Sequence, residues 1–128
     1  MSKVSITITS GTREQLQFAA MATSVAAVSG YDVTVLISMN ALLYFVKDKA
    51  PEVPREGEMG RLIETKNVPG FLDLFEQAVE LGDAKIHPCS MAMDVLGVGP
   101  DDVASFLSEP LGLTRFLSEA DDGQCWSF

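Results

Sequence analysis

The run from Tyr31 to Ser38, YDVTVLIS, limits the fold more than any other stretch of the chain. Its β-branched and aliphatic residues follow one another without regular polar alternation, as a strand covered on both faces of a parallel sheet requires. Parallel strands need a crossover between them, and the preceding residues provide one. Val4 to Thr9, VSITIT, alternates apolar with small β-forming residues and reads as a first strand. SGTREQ then turns the chain. Thr12 with Gln15 three residues later matches a capping box, LQFAAMATSVAAV carries strong helix formers, and Gly30 stops the helix.

The pattern continues to the end of the chain. MNALLYFVKD reads as a short, very apolar helix. Lys49 to Asn67 breaks every periodicity with prolines, glycines and charges, and is expected to be a loop that covers the functional rim and orders with a partner. Pro69 and Gly70 open an amphipathic helix, with Phe71, Leu74, Phe75, Ala78 and Val79 on one side, Glu76 and Glu80 opposite, and Gly82 at its close. AKIH is the next strand and CSMAMDVLG a short helix. Gly99, Pro100, Asp101 and Asp102 are expected to start another helix. An extended piece near Leu107 to Leu111, a helix at LTRFLSEA and a last strand QCWS complete the chain. Alternating strands and helices imply an α/β fold, with right-handed crossovers and helices on both faces of a parallel sheet. The 128 residues, with no internal repeat, form one domain over 1–128.

Charge removes several function classes. With a formal charge of −9 and a pI near 4.4, the chain would be repelled by phosphate backbones and anionic lipid, so neither nucleic acid nor membrane is an expected partner. Leu16 to Val28 is apolar but shorter than the roughly 18 residues of a membrane span. The N-terminus runs directly into a strand pattern without signal-peptide features, and the protein is read as cytoplasmic. Two cysteines without export signals are read as reduced thiols. One histidine and two distant cysteines are too few for a structural zinc site, and no metal is expected. A single Gly11 in the first strand-to-helix turn and no Gly-Lys-Ser/Thr element make nucleotide binding weak, and no other cofactor is expected. No Gly-x-Ser-x-Gly elbow points to a serine hydrolase.

In parallel sheets ligands bind at the carboxyl ends of the strands. That rule gathers Ser10 and Gly11, then Ser38 to Asn40, then Cys89 along one rim. Cys89, in IHPCSMAMDVLGV, is the one strong nucleophile at a strand-to-helix turn. Helix N-terminal amides favour an anion there, so its thiol is expected to ionise more readily than the reference of about 8.5. Pro88 fixes its own φ and restricts His87, presetting the approach to the sulfur. The residues leave a second reading open, with Cys89 a small hydrophobe at the end of a core strand. Cys125, beside Trp126, is read as a packing residue. His87 reads more readily as a packed or surface side chain than as a base, and Met91 and Met93 as core.

PCSMAMDVLGV resembles the signature of the DsrE/DsrF/DsrH-like sulfur-transfer proteins, and EPLGLTRFLSEA is similar to their late helix before the closing strand. With VSITIT and YDVTVLIS the likeness spans nearly the whole chain. The resemblance implies a three-layer α/β/α domain with a mainly parallel five-stranded sheet. It also implies a homo-oligomer, commonly a trimer or hexamer, working in cytoplasmic sulfur trafficking. Cys89 would accept sulfane sulfur or thiosulfonate from a small donor and pass it to TusA-like or rhodanese-like carriers. His87, Pro88, Ser90, Met91, Ser10, Gly11, Thr12 and Asn40 would be its neighbours. Lack of a second cysteine between Ser90 and Pro100 favours a one-thiol carrier over an intramolecular resolving step. The oligomer also follows from the residues, since the first helix is apolar nearly all round and ALLYFV has no polar face. The competing functions are a non-catalytic interaction subunit with inert thiols and a peroxide-reducing thiol protein.

Overall fold

The computed structural model describes residues 2–128. β1 (Lys3–Ile8) leads through α1 (Arg13–Val28) to β2 (Asp32–Ile37), followed by α2 (Met39–Leu43), α3 (Glu58–Thr65) and α4 (Phe71–Gly82). β3 (Lys85–Pro88), α5 (Ser90–Leu96), α6 (Leu113–Glu119) and β4 (Gln124–Ser127) complete the chain. The strands form a four-stranded sheet in the order β3-β2-β1-β4 with every pairing parallel. Right-handed crossovers moving from β1 to β2 to β3 place α1 and α4 on one face. The return from β3 to β4 places α6 on the other. The result is three layers.

The two faces of the sheet differ in chemistry. Register pairs Val4 with Val33, Ile6 with Val35, Ile8 with Ile37 and Val35 with Ile86. These residues, all essentially inaccessible, make one continuous apolar surface for α1 and α4. The alternate positions, Ser5, Thr7, Thr34 and Leu36, then His87 and Ser127, face the other way. The hydroxyl-bearing residues of VSITIT are thus one face of β1, and this second face carries the candidate site.

α1 and α4 meet so closely at Gly82 that a Cβ there would lie 2.5 Å from the carbonyl carbon and Cβ of Ala27. α2 is shorter than MNALLYFVKD suggested, because the chain leaves the helix at Tyr44. It then drops Phe45 into the core against Phe71 and Phe75, with ring centroids 6.0 and 5.3 Å away. ALLYFV is therefore largely core, with Ala41, Leu42 and Phe45 buried, and does not supply the oligomer surface expected of it.

Two further expectations are corrected. The sheet has four strands, not five. Residues 108–111 run along the outer edge of β3, where Ser108 N–H donates to Ile86 O at 2.8 Å and Leu111 N–H to Pro88 O at 3.0 Å. Their pairing stops at an isolated parallel bridge between Cys89 and Leu111. Cys89 N–H points to β2, so the missing N–H of Pro88 belongs on this outer edge, and Pro110 lacks a donor too. A full ladder cannot close across two prolines. The expected helix after Gly99 is likewise only one 3₁₀ turn, Pro100–Asp102.

The segment from Lys49 to Asn67 is not an open loop and lines no part of the cavity at the carboxyl end of the sheet. It contains a 3₁₀ turn (Ala50–Glu52) and α3, and it is pinned to the start of α1. The Glu14 carboxylate accepts from the N–H groups of Glu56, Gly57 and Gly60 at 2.8–3.1 Å. Arg13 and Arg55 both reach Glu64, at 3.3 and 3.1 Å. The Glu56 N–H bond is the main reason that the Glu14 carboxyl ionises below its ordinary value of 4.5, with Gly57 and Gly60 adding to it. Because the folded value is depressed, the clasp is complete above about pH 4.5 and is lost as pH falls through the lowered value. Limited proteolysis within 49–67 should therefore accelerate as the pH is lowered progressively below the ordinary carboxyl value of 4.5. Glu14→Ala should show the faster cleavage already at neutral pH, and equal rates for both chains at pH 7 would refute the clasp.

Candidate functional site

β3 ends at Pro88 and α5 begins at Ser90, so Cys89 is the N-cap residue, with φ −71° and ψ 125°. Its backbone is fixed from both sides: the N–H donates to Ile37 O at 2.8 Å and the carbonyl accepts from Met93 N–H at 3.0 Å. Ser90 N–H, the first donor of the helix, is taken by Leu111 O at 3.0 Å. At most the amides of Met91 and Ala92 therefore remain as donors at this helix start.

Cys89 is 6% exposed, yet it lines a cavity of about 520 Å³ on the hydroxyl-bearing face of the sheet. β1 supplies Thr7 and Thr9, and β2 with its following turn supplies Leu36, Ser38 and Met39. Ser90 and Met91 flank the cysteine, while Gly112, Leu113 and Thr114 close the opposite wall from the start of α6. Among the described residues none of these linings is charged. Met39, Met91 and Leu113 are exposed and ring the cavity with apolar side chains, so the thiol is nearly buried but approachable through a Met- and Leu-edged opening.

Met39 adopts φ +52°, the left-handed region, which costs a residue with a Cβ roughly 1–2 kcal/mol. Strain of this sort persists where surrounding structure imposes it. Here Ser38 N–H is held by Ile8 O at 2.9 Å and Ala41 N–H by Thr9 O at 3.2 Å, so the chain must reverse between them. Met39→Gly is expected to raise stability by up to about 1 kcal/mol, by relieving the left-handed backbone. Thermal melts check this, and a less stable variant would contradict the strain.

The other residues expected around Cys89 separate into two groups. Pro88, Ser90 and Met91 adjoin it. Ser10, Gly11, Thr12 and Asn40 lie on the same rim but do not line the cavity. Thr12 caps α1, accepting from Gln15 N–H at 3.4 Å, and its hydroxyl donates to the Glu56 carboxylate. Gly11 is a crossing point, where a Cβ would lie 2.6 Å from the Asn40 carbonyl oxygen. His87 is buried in β3, and its Nδ1–H donates to the Glu109 carbonyl at 2.8 Å. That bond fixes the tautomer and ties down the edge segment before Leu111. The sequence reading missed Thr7 and Thr9, whose alternation in VSITIT was the available signal, and Gly112 to Thr114, which reach the cavity only through tertiary packing.

Cys125 is exposed on the edge strand β4, not packed as expected. It lies three strands from Cys89, which at about 4.8 Å per strand is beyond disulfide reach. Among the described residues no cluster of three or more His, Cys, Asp or Glu is placed to hold a metal ion. Nor is any described helix long and apolar enough to cross a membrane.

A scan of known families matches residues 50–128, the stretch holding Cys89, both walls built from α5 and α6, and β4, to the DsrE/DsrF/DrsH-like family. The chain belongs to this family. Among solved structures, the ychN protein from E. coli superposes with a TM-score of 0.64 at 13% identity, over 100% of both chains. The protein of unknown function MTH1491 from Methanobacterium thermoautotrophicum superposes with a TM-score of 0.59 at 13% identity, over 98% of this chain and 97% of that one. At such identity these neighbours establish the DsrE-like fold alone. No curated protein matches the chain significantly. Family membership points to a role in sulfur relay with sulfur-carrier partners.

Proposed function

We propose that the protein is a sulfur carrier that holds sulfane sulfur on Cys89 and passes it to a partner thiol of a TusA-like or rhodanese-like carrier, working as a cytoplasmic homo-oligomer. The observation that carries this reading is the position of Cys89 in an uncharged cavity of about 520 Å³ at the sheet's carboxyl edge. In the first step the Cys89 thiolate attacks the outer sulfur of a donor persulfide. The donor's S–S bond breaks, its thiolate leaves, and a persulfide remains on Cys89. An acceptor thiolate then attacks that outer sulfur and releases the Cys89 thiolate. The sulfane sulfur keeps its oxidation level throughout, so neither step needs an external oxidant or reductant.

Thr7, Thr9, Ser38 and Ser90 offer hydroxyls that can donate to a persulfide anion. The exposed Met39, Met91 and Leu113 suit contact with the apolar surface of a carrier protein rather than capture of a free ion. Neutral or protein-bound sulfane sulfur is accordingly favoured over a thiosulfonate, whose charge no cationic side chain in the lining would balance. Intact mass after exposure to a persulfide donor and, separately, to tetrathionate, which would leave a thiosulfonate on the thiol by releasing thiosulfate, tests both points. Sulfur mass gained from the first and not the second is the expected result.

A second reading, an interaction subunit with an inert thiol, is favoured by the 6% exposure of Cys89. Under it, thiol reagents would modify Cys89 only after denaturation. A peroxide-reducing cycle finds less support, since Cys125 is too far away to resolve a sulfenate within one chain.

A further inference from the structure

We infer that the groove between α1 and α3 binds a small primary amine carried on a flat apolar body, with the ammonium held by Glu14 and Gln17. The groove has a volume of about 580 Å³, within the size range of pockets that take small ligands. It shares no lining residue with the Cys89 cavity. Phe18 and Met21, exposed in the apolar stripe of α1, form one side, and Met59 of α3 stands on the other. Among the described residues the only polar side chains of the lining are Glu14 and Gln17. They are three residues apart on α1 and so are neighbours on one face of the helix.

Gln17 is the residue that asks for a ligand. It is 8% exposed, its Nε2 donates to Pro69 O at 2.9 Å, and its buried Oε1 accepts from nothing. The bond to Pro69 fixes which way the amide lies, since the flipped form would set two oxygens against each other. An acceptor left unpaired in the wall costs free energy, which a donor entering the groove recovers. Glu14 adds charge. Its Oε2 accepts from the N–H groups of Glu56, Gly57 and Gly60, whereas Oε1 has that of Glu56 alone, so a lone pair of Oε1 stays open. Among the described residues no lysine or arginine lines the groove, and the chain as a whole carries −9. An anion is therefore repelled and a cation drawn in. An ammonium brings three donors and no acceptor, which suits two acceptors one helical turn apart. The apolar body leaves water for Phe18, Met21 and Met59, whose ring and thioethers pack well against an aromatic guest.

The test is a titration of 2-phenylethylamine into protein carrying ¹³C at its methionine methyl groups, followed by NMR. The Met21 and Met59 signals should shift and saturate at about 1 mM amine or less, while those of Met39 and Met91, at the Cys89 cavity, stay in place. 2-Phenylethanol has the same body without the charge and should bind at least about tenfold more weakly. 3-Phenylpropanoate, an anion of similar shape, should not bind. Gln17→Leu removes the unpaired acceptor at similar volume, so it should fold, as a thermal melt will show, and weaken the amine by about tenfold. The three probes on wild-type protein decide the matter even if that variant does not fold. Unmoved Met21 and Met59 signals, equal binding of the amine and the carboxylate, or full affinity in folded Gln17→Leu would overturn the inference. Shifts spread over all the methionines would do so too, since they mean an amine gathered by the acidic surface at large.

Discussion

Replacing Cys89 by serine is expected to abolish sulfur loading, because no second thiol can reach the cavity. The measurement is intact mass after incubation with a persulfide donor, comparing wild type, Cys89→Ser and Cys125→Ser. Wild type and Cys125→Ser should each gain sulfur on residue 89, and Cys89→Ser should gain none there. Serine nearly preserves the volume of the side chain, and the backbone bonds that hold position 89, to Ile37 and Met93, involve only main-chain atoms. The variant should therefore stay folded, and its loss of loading reports chemistry rather than collapse. Exposed Cys125 is the control that matters. If it alone carries the label in the wild type, the cavity is not the reacting site and the carrier function fails.

The largest effect on stability is expected from Phe75→Ala. Phe75 is completely buried on α4, its ring 5.3 Å from that of Phe45, and it joins the turn after α2 to the helical layer. Truncating a buried phenylalanine costs about 3–5 kcal/mol, through lost transfer energy and the cavity left behind. That is a large part of the roughly 5–15 kcal/mol that keeps a domain folded. For a chain of this size the melting temperature should fall by about 10–20 °C. Because α2 starts at the strained Met39 on the cavity wall, the loss should also loosen that wall. A drop of less than about 3 °C would mean that the Phe45, Phe71 and Phe75 cluster is not the anchor described here.

Much of the site was legible in one dimension because it is built from local rules. The proline before Cys89, the helix formers after it and the strand before it are neighbours in sequence, so the strand-to-helix turn followed directly. Thr12 as a helix cap and Phe71, Phe75 and Ala78 as a buried face are local in the same sense. The walls of the cavity are not local. Gly112 to Thr114 reach Cys89 only because the return crossover brings α6 to the second face of the sheet. The segment from Lys49 to Asn67 looked irregular because its order comes from partners elsewhere, above all Glu14, which accepts three of its backbone amides.

What the sequence determined alone was the alternation of strands and helices, the parallel sheet and the place of Cys89 at its carboxyl edge, since periodicity, capping and turn chemistry act over a few residues. Tertiary structure decided the rest. It reduced the fifth strand to a bridge, sent ALLYFV inward and left the apolar stripe of α1 outward, because which apolar side is buried depends on what packs against it and not on the residues that carry it.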